Sequence, residues 1–448
     1  MTQTLSDLTQ ALLMAAKNAG AQAADAMAYE ATSVSIDVLG GKLEHAERSE
    51  GTDIGLRVII GQRQACVSAS DLNPSTILTM AERAIAMARE APEDDSVGLA
   101  EPSQLATDRN IGALEMADPA PEPTALALED QARRAEAAAL AVKGIAQVQS
   151  TSAGYSRRQI HIAGSNGMSG GYSRTDMGLG CVAIIGSGGD MERDYYGDSR
   201  VFQTDLKSPE EIGKLAAERT LQRAGARKPK TGAFPVLFDE RISTSLIGHL
   251  LSAVNGSSIV RGSSWLRDAL GQQILPANLS VTEDPHRARS FGSRPFDAEG
   301  LSTTKRKIVD GGILTGWTLD LATGRKLGME STANATRGTS APPSPSNYNI
   351  ELTQSDASRD DLIKDMGTGL LVTSMIGSSI SSTTGDYSRG ASGFWVENGE
   401  IVHAVNECTI AGNLRDMLMN LTPANDARSY LSHVVPSLLV QGLTLAGE

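Results

Sequence analysis

Serine, histidine and glycine supply most of the residues in this sequence that could do chemistry. Gly167-Met168-Ser169-Gly170-Gly171 is a GxSxG pattern, which on a strand-to-helix elbow would expose a serine nucleophile. The residues that follow, Tyr172 to Ile185, contain Gly178, Gly180 and then a Cys-Val-Ala-Ile-Ile run, so the segment reads as a glycine-rich hairpin. Gly178-Leu179-Gly180 is a fragment of a dinucleotide fingerprint, but it precedes a strand where phosphate binding needs a helix N-terminus. Lys42 and Lys214 follow glycines without the rest of a Walker A sequence. Of the six histidines, His45, His161, His249, His286, His403 and His433, no pair has the HExxH spacing of a zinc peptidase helix. His249 falls on a predicted helix among apolar neighbours and by itself reads as a hydrogen-bonded histidine. His286, in Glu283-Asp284-Pro285-His286, belongs to an acidic turn that could take a cation or simply be solvated. Gly377 to Gly393 is dense in serine and glycine, and Tyr387, Arg389, Phe394 and Trp395 spend large side chains beside it. This stretch reads as a functional surface, with Tyr387, Arg389, Ser392 and Trp395 as candidate substrate-binding residues and a set of turns as the bland alternative.

The elements that must position these residues follow from periodicity. Ser6 as N-cap, with Leu8, Ala11, Leu12, Ala15 and Ala16 before Gly20, predicts a helix. Alternation at Val34, Ile36 and Val38, at Leu56, Val58 and Ile60, and at Ala65, Val67 and Ala69 predicts three half-buried strands. Asn73 and Pro74 open a second helix. Five prolines between Ala91 and Ala125 mark a connecting segment. A helix over about Leu126 to Lys143 precedes strands near 147–152, 159–162 and 181–185, separated by Gly/Ser turns. Ser208, Pro209 and Glu211 predict a capping box starting a helix that ends near Gly225. After a boundary at Arg227 to Gly232 come a strand at Phe234 to Phe238 and a helix from Glu240 to Asn255. Strands and turns then dominate, with hairpins at Val309 to Ile313 and at Val396 to Ile401, the second carrying Asn398-Gly399. Ala341 to Ser346 reads as an ordered loop. The expected fold is α+β: an N-terminal α/β region of sheets with flanking helices, then a β-rich C-terminal domain. Its parts are 1–90, a connecting segment 91–125, a second part 126–226 and a C-terminal domain 227–448.

Composition narrows the function classes. The 448 residues carry 40 Lys plus Arg against 53 Asp plus Glu, a net charge of -13, which disfavours nucleic acid as a partner. That charge could repel acidic substrates and admit basic peptides, or serve solubility alone. Hydrophobic residues at 40% suit a globular chain, and no stretch approaches a membrane span, so no membrane partner is expected. Cys66, Cys181 and Cys408 lie far apart without a CxxC or Cys/His cluster, which argues against a disulfide framework and fits a reducing cytoplasm.

Several longer runs resemble the TldD/PmbA family on its PmbA (TldE) branch. They are Asp386 to Ile401, Thr409 to Met417, Pro295-Phe296-Asp297-Ala298-Glu299-Gly300, Arg325-Lys326-Leu327-Gly328-Met329, Pro342-Pro343-Ser344-Pro345-Ser346 and Gly55-Leu56-Arg57-Val58. The resemblance implies a cytosolic peptidase system in which two paralogous chains enclose a chamber and cut small or unfolded peptides, such as leader peptides and labile antidotes. It also implies zinc on an HExxxH motif and a C-terminal cysteine in the TldD-like paralogous subunit. Here that motif falls on Thr244-Ser245-Leu246-Ile247-Gly248-His249, with Thr244 in place of the first ligand and Ser245 in place of the glutamate. No cysteine occurs between Asp426 and Ser437. A peptidase zinc needs three protein ligands and a carboxylate for its water. No cofactor is therefore expected in this chain, and the non-catalytic partner role follows. The alternatives are an independent peptidase recruiting His249 with His433 or Glu407, a peptide-binding adaptor, and serine chemistry at Ser169 or Ser392.

Overall fold

The computed structural model describes residues 3–107 and 111–448. Positions 1 and 2, and 108–110 of the expected connecting segment, lie outside the described residues. Helix α1 (Leu5–Asn18) opens at Thr4, not at the expected Ser6. Thr4 and Asp7 form a reciprocal capping box that satisfies two backbone donors, which leaves Ser6 inside the first turn. The predicted apolar stripe is buried at Leu8, Leu12, Ala15 and Ala16.

The three expected strands are β1 (Ala23–Leu39), β2 (Lys42–Ile60) and β3 (Arg63–Ala69), and the first two run far beyond their alternating segments. In β1, residues 24–28 are buried in succession because both faces are covered, and this erases the period of two. In β2, residues 42–51 are exposed, so no apolar face exists to reveal them. Helix α2 (Pro74–Glu90) begins at the expected proline, but Asn73 makes no side-chain cap and instead donates to Asp71.

Helix α3 (Ala125–Leu140) leads to β4 (Gln147–Gly164), β5 (Ser169–Ile185), β6 (Glu192–Arg200) and α4 (Pro209–Gln222). The turn expected between the first two short strands is absent, whereas the one before Ser169 forms. Gly154 pairs with Gly178 inside one continuous β4–β5 hairpin, where the glycines interrupt hydrophobic alternation without breaking the strand. Ser208 caps the Glu211 amide, but the Glu211 carboxylate goes to Lys207, so only half of the expected box forms. All six strands join one antiparallel sheet in the order β3-β2-β1-β4-β5-β6. Even-numbered β1 residues from Ala24 to Val38 point to the face covered by the four helices.

The C-terminal half begins with β7 (Gly232–Phe238), α5 (Glu240–Ala253) and α6 (Gly256–Val260). Short strands β8 (Val281–Glu283), β9 (Arg306–Asp310) and β10 (Ile313–Leu314) follow, then α7 (Leu321–Leu327), β11 (Ala335–Thr336), β12 (Ser344–Pro345) and β13 (Ile350–Leu352). After α8 (Arg359–Met366) come the long strands β14 (Gly369–Ile380), β15 (Asp386–Glu397) and β16 (Glu400–Asn413). The chain ends with α9 (Leu414–Met419), β17 (Leu421–Pro423), β18 (His433–Val434) and β19 (Leu438–Ala446). The sheet β16-β15-β14-β7-β19-β17 also pairs β16 with β19, which closes five strands into a barrel. Both expected hairpins form, with positive φ at Gly311 and Gly312 and at Asn398 and Gly399. The fold is α+β with a β-rich C-terminal half, as expected.

Polar and steric joints connect the halves. Asp25 accepts from Arg57 Nε at 2.7 Å and is paired with Arg337, whose side chain is fully buried. Arg325 donates to the carbonyls of Ser96 and Leu99, and Lys326 pairs with Asp94 at 2.7 Å, drawing that carboxyl down to about 2. A Cβ on Gly55 would lie 2.1 Å from the Thr339 carbonyl oxygen, so only glycine allows this approach.

Candidate functional site

Asp239 fixes the start of α5. Its side chain caps the Arg241 amide and pairs with Arg241 at 2.9 Å and Arg359 at 3.2 Å. Burial works to raise the Asp239 carboxyl, but these two cations outweigh it and hold it below its ordinary value. Leu246, Ile247, Leu250 and Leu251 anchor the helix in the barrel core, which carries Thr244, Ser245 and His249 along with it. Ser245 donates back to the Ile242 carbonyl at 2.7 Å. His249 meets the Tyr387 ring edge to face at 5.9 Å, and its buried Nε2 has no hydrogen-bond partner among the described residues. Burial and the nearby Arg389 guanidinium both lower the His249 pKa, so the imidazole is neutral at pH 7.

This donor set does not fit zinc. Thr244 and Ser245 offer neutral hydroxyls, and the charged group that acts on His249 is the Arg389 cation. Among the described residues, no group of three His, Cys, Asp or Glu side chains is placed to hold a metal ion. The alternative partners of His249 lie on other elements. Glu407 pairs with Lys228 at 3.5 Å, and His433 lies in β18 beside the field of Glu283. Cys408 donates to the Ala391 carbonyl, and burial pushes its thiol up to about 11.

The serine-rich stretch is the β14–β15 hairpin, whose backbone groups are largely paired on the shared edge. Tyr387 and Trp395 are each 2% exposed and lie in the core, where neither offers a surface to a substrate. Tyr387 and Trp395 pack in the barrel core with Phe238, Trp265 and Trp317, and Phe394 packs against α8. Arg389 is half-buried and donates from Nε to the Gly377 carbonyl at 2.8 Å. Ser392 accepts from Arg223 at 2.8 Å across the boundary between the halves.

Sequence reading missed the cleft at that boundary. It has a volume of about 610 Å³ and is lined by β5 and β6 residues, Arg223 and Ser374. Arg223 is held there by Asp194 at 3.5 Å and Glu192 at 3.6 Å. No local motif marks it, since Ser374 joins walls that are drawn from residues 149–223.

Two other candidates find plain structural roles. Ser169 Oγ lies 3.5 Å from His161 Nε2, and His161 Nδ1 faces Thr9 Oγ1 at 2.9 Å. A hydroxyl stands where a serine triad has a carboxylate, and Ser169 sits beside a hairpin turn, so the contact ties α1 to the sheet. His286 Nε2 meets Thr303 Oγ1 at 3.0 Å.

Comparison with known proteins supplies the family. Models of the PmbA/TldA metallopeptidase match as domain 1 over 24–88, the central domain over 118–224 and the C-terminal domain over 231–447. The chain is 37% identical to Metalloprotease PmbA of Escherichia coli O157:H7 over 438 residues, 97% of this chain and 94% of that one. A Bacteroides thetaiotaomicron protein described as a candidate modulator of DNA gyrase superposes with a TM-score of 0.90 at 27% identity, covering 98% of each chain. TldE from Thermococcus kodakarensis shares the fold with a TM-score of 0.85 at 20% identity, covering 98% of this chain and 99% of that one. Three consecutive domain matches and near full-length identity establish that this chain belongs to the PmbA/TldA metallopeptidase family, on its PmbA (TldE) branch.

Proposed function

We propose that this chain is the non-catalytic subunit of a zinc metallopeptidase. Its partner is a TldD-like paralogous subunit that carries the zinc, and the pair degrades or processes small or unfolded peptides, including leader peptides and antidote proteins, in the cytoplasm. The observation that carries this reading is α5 itself. The helix where the resemblance puts the metal motif presents two hydroxyls and one neutral histidine beside a cation, a set that supports neither metal binding nor water activation. This chain's contribution is then to shape the chamber and position peptide.

The test is reconstitution. Cleavage of an unfolded polypeptide requires both chains, and His249→Ala changes the rate of the complex less than about twofold. Cleavage by this chain alone, or a loss of more than tenfold in the folded variant complex, would overturn the reading.

A further inference from the structure

Three of the runs singled out in the sequence meet where the two halves touch: Arg57 on β2, the loop from Pro295 to Leu301, and α7 with Arg325 and Lys326. The loop is a wedge. Phe296 packs on Met168, Ala298 on Met27 and Ile162, and Leu301 on Ala100, while the Gly300 carbonyl accepts from the Ala106 amide. The linker between α4 and β7 lies at the other end of the sheet, where Arg227 bridges to Val405 of β16. Strand β4 joins the two places, with Gln149 in the cleft beside Arg223 and Ile162 against the wedge, about 40 Å further along the strand. A covalent hinge at one end thus faces a non-covalent clasp at the other.

Glu299 sits in the clasp. One of its oxygens accepts from the Leu321 amide at 2.9 Å. Beside it is a cavity of about 10 Å³, barely room for one water, walled by Asp25, Arg57, Ala100, Ile162 and Met168. The charged groups around it come from every neighbouring element. Asp297 of its own loop is fixed by the amides of Glu299, Leu301 and Ala335 and feels Arg294, and Asp320 caps α7. Arg57 already serves Asp25, which Arg337 also meets, and Cys66 beside Arg57 is kept a neutral thiol by burial. At the far end of α7, Arg325 and Lys326 are taken by the Ser96 and Leu99 carbonyls and by Asp94. Burial, Asp297 and Asp320 push the Glu299 carboxyl up, and Arg57 offsets only part of this.

We propose that Glu299 is a proton-operated clasp between the halves: protonated, it lets the wedge seat against β1 and β4, and ionised, it drives the wedge out so that the halves part about the linker. An ionised carboxylate cannot be hydrated in a space for one water. Asp297 and Asp320 belong to its own half and move with it, so relief comes from parting the wedge from the N-terminal half and admitting water. The closed state holds the extra proton. The ratio of closed to open therefore falls as pH rises, by up to tenfold per unit, between the ordinary carboxyl value and the raised one. Two spaces between the halves widen on opening, the cleft of about 610 Å³ and one of about 570 Å³ between the sheet and Arg428 to Leu431. Access to the region between the halves is thereby set by pH.

The test places a thiol in the wedge with Ala298→Cys, at a site 8% exposed that faces Met27 and Ile162. Alkylation by iodoacetamide is followed by peptide mass spectrometry, and protection is the rate in the urea-unfolded chain divided by the native rate at the same pH. Cys181 and Cys408, buried in the cores of the two halves, report global unfolding in the same molecule. The new thiol is at least tenfold less protected than either, and its protection falls at least tenfold between pH 6 and pH 8.5. With Glu299→Gln added, the fall is less than threefold. Asp320→Asn is an independent second variant, which keeps a capping side chain, removes one like charge and makes the fall smaller than in the parent. Protection equal to that of Cys181 and Cys408 at both pH values would overturn the proposal, because the wedge would then open only by unfolding. So would protection that does not change with pH, or a fall undiminished in either variant.

Discussion

Asp25→Asn is the sharpest test of how the halves are held. Asp25 is 7% exposed and sits between Arg57, 4% exposed, and Arg337, whose side chain is fully buried. Asparagine keeps the shape but leaves two buried guanidinium groups without their counter-charge. Removing one partner of a buried pair costs about 3–5 kcal/mol, most of it the penalty of the orphaned charge. Urea unfolding is the assay. Trp265, Trp317 and Trp395 all lie in the C-terminal half, so fluorescence follows that half while far-UV circular dichroism follows both. The variant should unfold at lower urea by circular dichroism and separate the two signals. Adding Arg337→Met should recover part of the loss, because it removes one uncompensated charge. A single variant within about 1 kcal/mol of the parent, or a double variant less stable than the single, would refute the reasoning.

Two further predictions concern the core. Glu299 is pushed up to about 8 by burial and by the neighbouring carboxylates Asp297 and Asp320. Between the unfolded value of 4.5 and about 8 the unfolded chain therefore binds fewer protons than the folded one, so stability falls as pH rises through that window. Glu299→Gln should flatten this decline, and denaturation midpoints at pH 5 and pH 8.5 would show it. An undiminished slope in the variant would refute the assignment. In Gly213→Ala the new Cβ would lie 2.0 Å from the Ala135 carbonyl oxygen, so α3 and α4 must part at a cost of about 1–3 kcal/mol, read as a lower melting temperature. An unchanged melting temperature would mean the helices are not held that closely.

Much of this fold was legible because periodicity and turn chemistry agree with it. The stripe of α1, the Asn398-Gly399 turn and the Gly311-Gly312 turn each state their structure locally. The long halves of β1 and β2 do not, since one is buried on both faces and the other on neither. At the candidate site, the placement of Thr244, Ser245 and His249 on one helix could be read from sequence. The roles of Tyr387 and Trp395 could not, because an aromatic residue beside a serine-rich run looks the same whether it faces a groove or fills a barrel. Some of the runs that carried the family resemblance prove to be joints. Gly55 and Arg57 and Arg325 and Lys326 bind the halves together, and Asp297 fastens the backbone amides of Glu299, Leu301 and Ala335.

The most direct test of the partner role is the zinc content of the isolated chain. Purified protein would be stripped with a chelator, reloaded with excess zinc, exchanged into metal-free buffer and measured by mass spectrometry of the metal. The account predicts near zero zinc per chain, unchanged in His249→Ala. A value near one that falls in His249→Ala would contradict it and make this chain a metal-binding subunit in its own right.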